Sequence, residues 1–151
     1  MALDDDNIFK LQGGLHGPRQ TPYNGGFFSF NITFSENYPQ EAPIVCFETP
    51  IYHVTINPIK GGKNKQSIGF VCNSLNWWNP KDNMRNVFIN IFSLVFDPKP
   101  EVAYENEIAK EYINNKELYD KKARYFAKKY ASPFTKTKYD VSKSWDFTYD
   151  E

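Results

Sequence analysis

The sequence predicts an α+β fold, an antiparallel sheet with helices packed on one side. Its strand-like segments come first and its helix-like segments follow, with no alternation between them. Two patterns carry that reading. In "FFSFNITF" Phe28, Phe30, Ile32 and Phe34 share one side of a period of two, and Ser29, Asn31 and Thr33 share the other, as in a half-buried antiparallel strand. After Met84, Val87, Phe88, Ile91, Phe92 and Val95 recur at spacings of three and four, the period of a helix.

The other elements fall around these two. "IFKLQ" at 8–12 is a short alternating strand, and "HGPRQTPYNGG" is a turn punctuated by Gly17, Pro18, Pro22, Asn24, Gly25 and Gly26. "NGG" predicts a tight hairpin back to that first strand. "ENYPQEAP" reads as a loop and "IVCFET" as the third strand, so residues 1–50 form a β-meander. Asp82 and Asn83 are candidate N-caps for the helix over 83–96. Its apolar residues run almost all round, which predicts a buried central helix, and Pro98 and Pro100 end it. "ENEIAKEYIN" is a short amphipathic helix carrying Ile108 and Tyr112. "KELYDKKARYFAKKYA" sets Tyr119, Ala123, Phe126, Ala127 and Tyr130 on one stripe, with a solvated lysine-rich face opposite. The tail 134–151 is polar with scattered aromatics, and is either mobile or docked through Trp145, Phe147 and Tyr149.

Composition narrows the function classes. The 151 residues suit one domain and can bury a core without metals or disulfides. With 18 basic and 18 acidic residues no basic patch dominates, which argues against a nucleic-acid partner. No apolar run approaches the roughly 18 residues that span a bilayer, so no membrane partner is expected. Two cysteines, Cys46 and Cys72, make no disulfide framework, and a cytoplasmic or nuclear location is expected. Residues 51–83 lack any period. A connection that long, biased toward Asn, Gly and Pro, is where a functional site is expected.

Several separated motifs resemble, in order, those of the ubiquitin-conjugating enzyme family: "GPRQTPYNGG", the strand "FFSFNITF", "YPQEAP", "IVCFETPIYH", "WNP", "SLVFDPKP" and "YINNKELYDKKARYFAKKYA". The resemblance covers roughly residues 7–131. It implies the family's UBC fold, a four-stranded antiparallel meander with helices on one side and at the C-terminal end. The core domain is then 1–133 and the tail 134–151. Because only "MALDDD" precedes the first strand, the helix with which the family begins is expected to be absent from this chain.

The resemblance also implies a chemistry. A cysteine accepts ubiquitin, or a ubiquitin-like protein, as a thioester from an activating enzyme and passes the acyl group to a substrate lysine, usually with a ligase bound. No cofactor or metal is implied. Residue chemistry alone leaves Cys72 either a nucleophile or a small buried apolar side chain. "GFVC" at 69–72 resembles the family's nucleophile segment and selects the first, whereas Cys46, inside a strand, reads as a structural thiol. His53 keeps the family's histidine position and is expected to support the loop. Val54 and Thr55 replace the family's proline and asparagine. That asparagine supports the oxyanion, a role worth roughly 10²–10³ in rate, and Thr55 occupies its position. "PIKGGKNKQ" lengthens the segment before Cys72, and the step from Cys72 to Trp78 is shorter than is usual in the family. Glu101 is the candidate carboxylate for orienting the incoming lysine. Trp78, Asn79 and Pro80, with the loop near 38–43, correspond to the ligase-binding surface. The expected function is an active conjugating enzyme. The alternative is an impaired UBC-fold variant that binds ubiquitin or a partner enzyme.

Overall fold

The computed structural model describes residues 2–4, 7–56, 78–98, 106–132 and 146–149. Four strands form one antiparallel sheet in the order β1-β2-β3-β4: β1 Ala2–Asp4, β2 Asn7–His16, β3 Phe27–Thr33 and β4 Ile44–Phe47. The α+β class is as the sequence predicts, and the antiparallel meander is of the kind the resemblance implies, with one strand, β1, that the sequence reading does not place.

Three details correct the sequence reading. The acidic N-terminal segment, where the sequence reading places no strand, supplies β1, with Leu3 opposite Leu11. The next strand does not stop at Gln12 but runs to His16 through Gly13 and Gly14. Glycine weakens strands because it offers nothing to pack, yet here aromatic rings take the space. A Cβ on Gly13 would lie 2.9 Å from the Phe30 ring, and one on Gly14 2.4 Å from the Phe27 ring. The β2–β3 link is also longer than a tight hairpin. Residues 17–26 form a closed excursion, pinned where Gly17 N–H donates to the Gly26 carbonyl at 2.9 Å. A Cβ on Gly17 would fall 1.7 Å from the Tyr23 carbonyl oxygen, so this crossing admits glycine alone. Gly25 takes φ +89°, which its lack of a Cβ permits.

Among the described residues three helices follow: α1 Met84–Phe96, α2 Asn106–Asn114 and α3 Lys116–Tyr130. Asn83 caps α1, its side chain accepting from Asn86 N–H, and Asn115 caps α3 in the same way through Leu118 N–H. The core lies between one face of the sheet and the helices. Phe28, Phe30, Ile32, Val45 and Phe47 meet Val87, Ile91 and Val95, with the Phe30 and Phe88 rings 5.7 Å apart. Helix α1 is less buried than its composition predicts. Only the i, i+4 stripe of Val87, Ile91 and Val95 is enclosed, and Phe92, expected in the core, is 47% exposed beside Ile89 and Phe96. A 3.6-residue period turns 89, 92 and 96 away from the sheet, whatever their hydrophobicity. The stripe of α3 is as predicted, with Tyr119, Ala123, Phe126 and Ala127 buried. Of the tail, residues 146–149 lie against α3: Phe147 is 4.9 Å from the Phe126 ring and Tyr149 is 5.2 Å from Tyr125.

Candidate functional site

Residues 51–56 leave the sheet after β4 and are buried without exception. A loop so enclosed must find partners for its backbone and polar side chains inside the protein. His53 supplies one set. Its Nδ1 accepts from Thr55 N–H at 3.1 Å and from the Thr55 hydroxyl at 2.9 Å. An Nδ1 that accepts carries no proton, so Nε2 bears it and donates to the Leu94 carbonyl of α1 at 3.0 Å. Burial lowers the His53 pKa to about 4, a push that the Leu94 carbonyl partly offsets. The ring is therefore neutral at neutral pH. With both nitrogens engaged and 1% exposure, it ties loop to helix and presents no basic nitrogen to solvent. Thr55 is 0% exposed, and its only hydroxyl proton goes to His53.

Tyrosines supply the second set. The Tyr23 hydroxyl donates to the Tyr52 carbonyl at 2.6 Å. That spends its proton, so across the 3.0 Å contact between the two hydroxyls Tyr119 is the donor and Tyr23 the acceptor. The Tyr119 oxygen in turn accepts Val54 N–H at 3.2 Å. Burial raises both hydroxyls above the usual tyrosine range, so they remain protonated donors. The Tyr52 hydroxyl, raised by burial and by its bond to Glu111, donates to that carboxylate at 2.8 Å, and Lys122 holds the other carboxylate oxygen at 2.7 Å. Tyr119→Phe keeps the ring but leaves Val54 N–H without its acceptor. A buried donor stranded in this way costs about 1–3 kcal/mol, readable as a lower urea midpoint at unchanged slope. A loss below about 0.5 kcal/mol would show the hydroxyl pair to be dispensable.

The Trp78–Asn79–Pro80 turn sits beside the 38–39 loop. Trp78 Nε1–H donates to the Pro39 carbonyl at 2.9 Å, and its ring lies 5.8 Å from Tyr38, which packs on Phe34 at 4.7 Å. The Tyr38–Pro39 peptide is cis. Asp82 closes the turn by accepting Asn79 N–H at 3.0 Å, and Asn79 Oδ1 accepts Lys81 N–H. Asn79 and Pro80 are exposed, so two segments distant in sequence share one surface.

The structure thus brings His53 and Thr55 together inside the protein and puts Trp78, Asn79 and Pro80 on its surface. Cys72 and Glu101 lie outside the described residues, as does Trp77. Cys46 lies on β4 opposite Asn31, part-buried. Sequence reasoning missed Tyr23, Tyr119 and the Leu94 carbonyl. Tyr119 stood on a core stripe, and a buried tyrosine needs a partner for its hydroxyl. That was the available signal, though nothing in the period names the partner. Among the described residues no helix is long and apolar enough to cross a membrane.

The fold is that of the ubiquitin-conjugating enzymes, and the chain belongs to that family: its family model, ubiquitin-conjugating enzyme, matches residues 1–127. Among its relatives is ubiquitin conjugating enzyme E2 B of Dictyostelium discoideum, 33% identical over 130 residues that cover 85% of this chain and 82% of that protein. Solved structures agree. One is a putative ubiquitin conjugating enzyme from Plasmodium yoelii (34% identity, TM-score 0.72), matching 85% of this chain and 79% of that one. Another is the E2 domain of a Toxoplasma gondii ubiquitin conjugating enzyme (27% identity, TM-score 0.74), matching 87% of both chains.

Proposed function

We propose that this protein is an active conjugating enzyme that carries ubiquitin or a ubiquitin-like protein on Cys72. Family membership supports the reaction class, and "GFVC" ahead of Trp78-Asn79-Pro80 supports the residue. The Cys72 thiolate attacks the thioester carbonyl on an activating enzyme, whose own thiolate leaves. A lysine amine then attacks the new thioester, negative charge gathers on the carbonyl oxygen, and the Cys72 thiolate leaves as the amide forms and the amine sheds its proton. Glu101 is assigned to orient that amine. Activating enzyme, ligase and substrate lysine are the partners, with the ligase on the joined 38–39 and 78–80 surface. The observation that carries the reading is the fixed state of residues 51–56, since catalysis of this kind works through preorganised groups. In it Thr55 acts through His53 as a positioning residue, because its hydroxyl proton is already committed.

Incubation with activating enzyme, ATP and a panel of ubiquitin-like modifiers should give one adduct that reductant removes. Cys72→Ser should abolish the reductant-sensitive adduct, and Cys46→Ser should retain it. Failure of every modifier to load, or a reductant-sensitive adduct that survives Cys72→Ser, overturns the assignment.

A further inference from the structure

We propose that the flank of α3 facing the 20–26 turn is a docking groove for an extended acidic segment of a partner protein. A cleft of about 570 Å³ opens there, lined by Thr21, Asn24, Lys116, Asp120, Arg124 and Lys128. That volume is within the range of specific binding sites. Through Pro22, Lys116 and Asp120 it continues into a smaller hollow of about 120 Å³ walled by Phe96, Pro98 and Tyr112. The groove therefore has a cationic end and an aromatic end.

Its charge is unbalanced. Asp120 is taken by Lys116 at 2.7 Å, while Arg124 and Lys128 have no ion pair among the described residues. Lys128 suits the last turn of α3, whereas Arg124 four residues before it repels Lys128. The opposite flank of α3 shows what such a surface can hold. There the chain's own tail lies in place: Tyr149 under Lys122 at 5.9 Å, and the backbone carbonyl of Asp146 accepting from the Tyr130 hydroxyl. The first flank carries the same elements, cations beside tyrosines, around an open cleft.

The geometry sets the occupant's spacing. From Lys128 to Lys116 the helix runs about 18 Å, which an extended chain covers in about five residues. An acidic pair at Arg124 and Lys128 puts an aromatic residue about five positions away at Phe96 and Tyr112.

The test uses the full chain and a fluorescein-labelled peptide in which three glutamates lie five residues from a tryptophan. Anisotropy should show saturable binding that weakens with added salt. Arg124→Glu with Lys128→Glu should reduce affinity about tenfold or more, and Arg124→Ala with Lys128→Ala should do so less steeply. The charge-matched control, Arg85→Glu with Lys110→Glu, should change it less than about twofold. Backbone amide shifts should be confined to residues 20–26, Phe96, Asp97, Tyr112 and α3. Absence of saturable binding, equal loss in the control, or shifts centred elsewhere overturns the proposal.

Discussion

Phe126→Ala should lower the unfolding free energy by about 3–5 kcal/mol and release residues 146–149 from the body of the protein. Phe126 is 0% exposed and stands where three layers meet. Inward, its ring is 5.6 Å from Tyr52, the residue before His53. Along α3 it meets Tyr125 at 5.0 Å and stacks on Tyr130 at 6.3 Å. Outward it contacts Phe147 at 4.9 Å and Tyr149 at 6.4 Å. Truncation removes the transfer free energy of a full aromatic ring. It also leaves a cavity that the rigid helix and the pinned loop cannot close. The tail should feel it most, because its order depends on Phe147 lying between Tyr52 and Phe126. Urea unfolding measures the first effect, and faster amide exchange at residues 146–149 measures the second. Phe147→Ala separates them: the half-buried ring should cost less while releasing the same residues. A loss below about 1 kcal/mol for Phe126→Ala would mean that the aromatic stack is not the keystone described.

What the sequence revealed and what it hid follow from how each element is encoded. Strand β3 was legible because alternation over Phe28, Phe30 and Ile32 is a local pattern, and so was the Asn83 cap on α1. Strand β1 was not, because three residues at a sheet edge carry no period. The reach of β2 through Gly13 and Gly14 was hidden as well, since the rings that fill their place come from Phe30 and Phe27 across the ladder. At the site, motif order singled out His53 and Thr55. Their partners are non-local: Leu94 lies 41 positions from His53, and Tyr119 lies 96 from Tyr23. A hydroxyl pair of that separation leaves no trace in a window of ten residues. The docking of Phe147 and Tyr149, one of two readings of the tail, was settled by where Tyr52, Tyr125 and Phe126 converge.

The protein should lose about 2 kcal/mol of stability between pH 7 and pH 5 through His53 alone. In the unfolded chain a histidine titrates near 6.5, whereas in the fold burial holds His53 at about 4. Between those values the unfolded state binds a proton that the folded state refuses, so stability rises with pH across that window. The full contribution is present above about pH 6.5 and falls away as pH drops toward 4, at a slope of at most about 1.4 kcal/mol per pH unit. Carboxylates as a class titrate mainly below about pH 5, so the interval from 7 to 5 isolates the histidine. The cause is structural. A proton arriving at Nδ1 would meet the Thr55 N–H and hydroxyl hydrogens that already point there, so protonation must break the 53–55 turn as well as charge a buried ring. Urea midpoints across this interval measure the slope. Imidazole ¹⁵N spectra, with His16→Gln to assign the two rings, should show His53 as the Nε2–H tautomer, unchanged down to pH 5. A His53 ring that titrates near 6.5 would mean that Nδ1 is not closed off by Thr55. The 53–55 turn would then be open to water.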